Sequence, residues 1–172
     1  MKKVNHQQMA ERLWIFCKKF SKEFYNSFTK DLKKIDMEIN QKQQINFSRE
    51  IVKMNLWIIS KALTADKKIL DELHKIYIFG HANLAETGED KIDFPKQAEK
   101  ELNETYQKYY ETWDDNSGGN QSILALTILE QLLNNGKPDK KLVNIMLFSL
   151  INMHVLTTLK AVLDFRNNFE IK

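Results

Sequence analysis

The chain has 172 residues, of which 42% are hydrophobic, and it carries a formal net charge of +3 and one cysteine, Cys17. A chain of this length buries enough apolar surface to fold without disulfides or a structural metal, and a single cysteine cannot form a disulfide within the chain. Composition therefore excludes a disulfide scaffold, and we expect one helical domain, residues 1–172, in the reducing cytoplasm.

Residues that interrupt helices are scarce. The chain contains five glycines and two prolines, and none of them precedes Gly80. Apolar residues recur every three or four positions, which is typical of amphipathic helices. The sequence therefore predicts an all-α fold, a bundle of about six helices without a sheet.

The first predicted helix, from about Gln7 to Asp36, has a basic face opposite an aromatic one. Residues 1–36 hold nine Lys or Arg and four Asp or Glu. Basic amphipathic helices bind anionic membranes or nucleic acid, although solvated lysines that bind nothing are the commoner case. The basic face consists of Lys18, Lys19, Lys22, Lys30, Lys33 and Lys34. Cys17 lies on the aromatic side, where burial keeps a thiol neutral and unreactive.

The next three predicted helices supply the candidate contact surface. A broad apolar face marks helix 2, helix 3 follows an N-cap at residues 64–66, and helix 4 follows an acidic loop over residues 86–94. Aromatic residues concentrate in protein interfaces. We therefore predict binding of a protein, with a homodimer as the expected form, through Ile78, Phe79, Tyr106, Tyr109, Tyr110 and Trp113.

Helices 5 and 6, at about 121–134 and 138–165, are apolar on nearly every side. A helix that is apolar all round is typical of a central position, so we predict that these two form the central hairpin. Residues 142–163 are long enough to span a bilayer, but their polar residues favour a bundle helix, and we expect no transmembrane segment. Four polar residues form an alternative pocket for a ligand: Asn144, Ser149, Asn152 and His154. The simpler interpretation of His154 is a hydrogen-bonded core histidine beside Asn152 and Thr158.

No motif of specific chemistry is present. Di-iron bundles use Glu-x-x-His motifs, whereas this chain offers only Asp71-x-x-His74. We predict no metal, no cofactor and no catalytic residues, and hence a non-catalytic interaction or regulatory module. Two alternatives stay open: electrostatic binding of nucleic acid or an anionic membrane through helix 1, and a bundle enzyme or sensor with a small-molecule or metal site.

Overall fold

Helices account for most of the structure, a computed structural model that describes residues 2–34, 41–82, 90–113, 122–132 and 141–172, with side chains at 2–34, 44–80, 94–113, 123–132 and 145–172. Two strands of three residues flank the helices. In chain order the elements are β1 (Lys2–Val4), α1 (His6–Lys33), α2 (Gln41–Ala62), α3 (Lys67–Ala82), α4 (Asp90–Thr112), α5 (Ser122–Leu132), α6 (Lys141–Arg166) and β2 (Phe169–Ile171). The predicted all-α bundle of six helices is confirmed.

Local sequence explains where α1 begins. The side chain of Asn5 accepts a hydrogen bond from the Gln8 amide at 2.8 Å, and the Gln8 side chain accepts one from the Asn5 amide at 3.1 Å. This reciprocal capping box satisfies two amides that have no partner within the helix. At the other end, Lys30 and Lys33 lie in the last turn, where a positive charge complements the helix dipole.

The innermost helix is α2. Every residue from 53 to 60 is buried, because α2 contacts α1, α4, α5 and α6. Helices α5 and α6 do pack against each other as a hairpin. The central position predicted for that hairpin belongs instead to α2, since α6 leaves Ile145 and Met153 exposed.

Two expectations about boundaries are corrected. Residues 90–94, predicted to be loop, belong to α4, so that Pro95 lies inside the helix rather than at its start. The expectation of no sheet is also wrong, because β1 and β2 pair in parallel, with Lys2 opposite Phe169 and Val4 opposite Ile171. Strands of three residues are too short to show the alternation from which a strand is predicted.

Arg166 fastens the paired strands to the bundle. Its Nη1 donates to the Phe169 carbonyl at 3.0 Å, and its Nε donates to Asp66 Oδ2 at 3.1 Å. Beyond the ladder, the Lys172 amide donates to the Val4 carbonyl at 3.0 Å. The two ends of the described chain are thus held beside the start of α3.

Candidate functional site

The aromatic residues of α4 face the bundle. Tyr109 is fully buried, and its ring meets Trp57 of α2 edge-on at 5.5 Å between centroids. Trp113 and Tyr110 pack on the same indole at 5.5 and 5.7 Å. Tyr109 is therefore corrected from a contact residue to a core residue, and of the predicted strip only Tyr110 is classed as exposed, at 43%. Spacing on one helix cannot show which neighbour covers it.

The predicted patch on α3 is reduced to one side chain. Ile78 is half-buried and packs against the core, whereas Phe79 is 62% exposed. A single exposed aromatic is normal on a protein surface. Phe79 alone therefore gives little evidence of an interface.

The six lysines of the basic face are all exposed, as their spacing indicates. Three of these lysines already lie near a carboxylate or an aromatic ring of α1. Lys34 Nζ lies 2.6 Å from Asp31 Oδ1 and Lys19 Nζ lies 3.9 Å from Glu23 Oε1, while Lys18 Nζ lies 5.6 Å from the ring centroid of Trp14. Part of the positive charge on this face is thus neutralised within α1 itself.

The four polar residues proposed for a pocket in α6 do not converge. The side chain of Asn144 lies outside the described residues. Ser149 is exposed and donates to the Ile145 carbonyl at 2.9 Å. At 3.6 residues per turn, Ser149 and Asn152 lie on a different side of the helix from His154. His154, by contrast, lines a groove between α1 and α6.

His154 is held by a hydrogen-bonded chain that reaches α1 through α2. Its Nε2 lies 2.9 Å from Asn55 Oδ1, and Asn55 Nδ2 donates to Ser21 Oγ at 3.0 Å and to the Ile51 carbonyl at 3.2 Å. The prediction of a hydrogen-bonded core histidine is confirmed. The partner is Asn55, ninety-nine residues away in sequence, rather than Asn152 or Thr158.

The protonation state of His154 follows from these partners. A backbone carbonyl can only accept, so the Asn55 amide must point its nitrogen at Ile51 and its oxygen at His154. Nε2 therefore carries the proton, and Nδ1 is a hydrogen-bond acceptor. Burial lowers the pKa of His154 from 6.5 to about 4, so the ring is neutral at neutral pH.

A groove of about 260 Å³, hereafter the α1/α6 groove, opens beside His154. Phenylalanine side chains of α1 form its wall, and the ring of Phe24 lies 4.1 Å from that of His154. The lining residues are Phe20, Glu23, Phe24, Ser27, Phe28, Leu150, Met153, His154 and Thr157. Sequence periodicity places these residues on two separate helices but cannot show that their flanks meet.

A second polar cluster joins α2, α3 and α4. His74 Nε2 lies 3.0 Å from Tyr106 OH and 3.2 Å from Ser60 Oγ, so this ring nitrogen meets two hydroxyl groups. Burial lowers the pKa of His74, and the charge of Asp71 opposes that shift. Ser60 is buried and its hydroxyl donates to the Leu56 carbonyl at 2.9 Å. That proton is engaged away from His74, so the arrangement ties helices together rather than forming a nucleophile and base.

Cys17 is fully buried, with Sγ 3.9 Å from the Val52 carbonyl oxygen. Burial raises its pKa to about 12, so the thiol stays protonated and unreactive at neutral pH, as predicted. Within the described residues, no group of three His, Cys, Asp or Glu side chains is placed to hold a metal ion.

One surface was missed by sequence reasoning. We call it the outer strip of α6; it consists of Ile145, Met153, Leu156 and Leu163, which are large, apolar and exposed. The opposite face of α6 is buried through Leu147, Ile151, Val155, Thr158 and Val162. The signal was the all-round apolar composition of this helix, which indicates two covered faces without showing what covers the second.

By length and composition, residues 145–166 of α6 could also cross a membrane. Core helices of soluble proteins pass the same test, but here only 28% of the most apolar window is buried. The exposed face also carries Ser149 and Lys160. One helix of this length and composition is weak evidence for a membrane span.

Comparison of the chain with protein-family models, curated proteins and solved structures gives no match.

Proposed function

We propose that this chain is a non-catalytic helical interaction module that forms a homodimer through the outer strip of α6. The observation that carries the proposal is the exposure of four large apolar side chains on one face of a helix whose other face is buried. Met153 is 63% exposed and Ile145 is 61% exposed. Exposed apolar side chains that share one helix face are typical of interaction sites in folded proteins.

Dimerisation would remove the side chains of the outer strip of α6 from water. Burying a large aliphatic side chain completely is worth roughly 1.5–3 kcal/mol relative to leaving it exposed. The strip side chains keep between about a third and two thirds of their possible exposure. Association can bury this remaining exposed surface. Part of that gain is offset by the loss of translational and rotational freedom.

A second copy of the chain is the partner that this strip fits. In a two-fold dimer the same patch faces itself, so an apolar strip meets an equally apolar strip without requiring any other complementary surface. Ser149 and Lys160 lie among the exposed residues of the strip. A charged side chain is costly in hydrocarbon, whereas the long Lys160 side chain can keep its ammonium group in water beside a protein interface.

We expect Leu156→Asp to convert the dimer to a monomer. A carboxylate placed between the two strips would be desolvated, and a pair with Lys160 one turn away would return only about 0.2–0.5 kcal/mol. Interface losses of about 2–4 kcal/mol correspond to roughly 30- to 1,000-fold weaker association. Multi-angle light scattering after size exclusion would report twice the chain mass for the natural chain and one chain mass for the variant.

Ile15→Asp is the control, because Ile15 is also a large exposed aliphatic residue, at 63%, but lies on α1. Both this variant and Phe79→Asp should remain dimeric. A natural chain that is monomeric at micromolar concentration would refute the proposal. If Phe79→Asp abolished the dimer and Leu156→Asp did not, the interface would lie on α3 instead.

The basic face of α1 supports a second candidate function, electrostatic binding of a polyanion, since all six of its lysines are exposed. Lys22, Lys30 and Lys33 are in none of the ion pairs found between described residues. Each phosphate that is neutralised releases counterions, which makes such binding steeply salt-dependent.

For this face we expect weak binding to RNA or anionic vesicles that is lost near physiological salt, where the Debye length is about 8 Å. Fluorescence anisotropy with labelled RNA, repeated over a range of salt concentrations, measures it. Changing Lys22, Lys30 and Lys33 together to Gln should remove what binding exists. Tight, lysine-dependent binding at physiological salt would rank this function above dimerisation.

A further inference from the structure

We propose that the α1/α6 groove binds a small primary amine as its ammonium ion. The groove shares Met153 with the outer strip of α6, but its other lining residues lie on α1 or on the side of α6 that faces α1. It assigns a ligand class to a cavity defined by His154 and the phenylalanines of α1.

The polar groups of the groove are acceptors. Glu23 supplies a carboxylate, and His154 supplies the lone pair of Nδ1, since its Nε2 proton is directed at Asn55. Thr157 Oγ1 donates to the Met153 carbonyl at 2.7 Å, so only its lone pairs remain for a ligand. Ser27 adds a hydroxyl that can accept as well.

The number and kind of these acceptors match an ammonium group. A primary ammonium has three N–H donors and no acceptor, and the groove presents a carboxylate, an imidazole nitrogen and hydroxyl oxygens. Nδ1 of His154 has no partner among the described residues, and it is not among the buried side-chain atoms that are sealed from solvent. Nδ1 therefore keeps some contact with solvent on a residue that lines the groove.

The apolar wall fits the remainder of such a ligand. Phe20, Phe24 and Phe28 line the groove, and aromatic faces attract cations as well as apolar groups. A volume of about 260 Å³ lies just below the range of ordinary small-molecule pockets, roughly 300–1,000 Å³. The ligand class is therefore a compact amine with one ring or a short aliphatic chain.

Lys19 is the competing cation within the protein. Its Nζ lies 3.9 Å from Glu23 Oε1, and both side chains are largely exposed. An exposed pair of this kind contributes little, typically 0.2–1 kcal/mol. A ligand ammonium that also reaches His154 Nδ1 can displace it, and Lys19→Ala should bind the amine more tightly.

The test is titration calorimetry with phenethylamine as the probe and 3-phenylpropionate as the matched anion. We expect saturable binding of the amine and none of the anion. Glu23→Gln should weaken amine binding about two- to fivefold, the loss expected for an ion pair at a largely exposed carboxylate. Glu11→Gln, also exposed on α1 and outside the groove, should leave it unchanged.

Each measurement is repeated on Leu156→Asp, which lies outside the groove, so that failure of the dimer and failure of the amine site are observed separately. Circular dichroism of every variant confirms that helix content is retained. The proposal is overturned if the natural chain shows no saturable binding up to about 10 mM amine, if the anion binds equally well, or if the two glutamine variants behave alike.

Discussion

Trp57→Ala is expected to lower the free energy of unfolding by about 3–5 kcal/mol, the usual cost of removing a large buried aromatic side chain. Trp57 is fully buried in α2, where Tyr109, Tyr110 and Trp113 all meet its indole edge-on. Truncation opens a cavity on the side of α2 that packs against α4. Urea unfolding followed by far-ultraviolet circular dichroism measures the change.

Trp14→Ala is the control for this prediction. Trp14 is only half-buried on α1, and its described aromatic neighbour is Tyr77, at 6.2 Å. Because less surface is removed from the interior, its loss should cost about half as much or less. Equal effects of the two substitutions would show that the aromatic cluster around Trp57 is not the principal core.

Acid should destabilise the fold through His154. Burial lowers its pKa to about 4 from 6.5, so between these values the unfolded chain binds a proton that the folded chain does not. Stability from this residue is complete above pH 6.5 and is lost as pH falls through the interval. The difference of about 2.5 units corresponds to about 3 kcal/mol at pH 4.

His154→Gln isolates this effect, because a Gln amide can still donate to Asn55 but does not titrate. The unfolding free energy of the natural chain minus that of the variant should therefore decrease by about 3 kcal/mol from pH 7 to pH 4. Nuclear magnetic resonance titration of the His154 ring gives its pKa directly. A midpoint near 6.5 would contradict the buried position described for this side chain.

The sequence predicted the helices and the buried face of α1, but it did not predict which helices contact one another. The aromatic face of α1 predicted the burial of Cys17, because the face of a helix is a property of that helix alone. His154 was correctly expected to be hydrogen-bonded, but its partner Asn55 lies in another helix. Contacts between helices depend on packing that periodicity does not encode.

The same limit explains why the sequence could not show which residues of the candidate site are exposed. Tyr109 and Met153 both belong to apolar faces, yet one is fully buried and the other is 63% exposed. Hydrophobicity predicts that a side chain gains from leaving water, without showing whether the covering surface belongs to the same chain. The outer strip of α6 and the α1/α6 groove could therefore be recognised only once the helices were placed.

The pairing of β1 with β2 has a consequence for the order of folding. Lys2 and Phe169 are adjacent in the ladder although nearly the whole chain separates them, so closing this loop costs more conformational entropy than any contact within a helical hairpin. We infer that the strands pair after the helices have assembled. The strand pair would then be the cooperative unit least protected from hydrogen exchange. Hydrogen exchange at the Lys172 amide, which donates to Val4, would then report the release of the chain ends while the bundle stays intact.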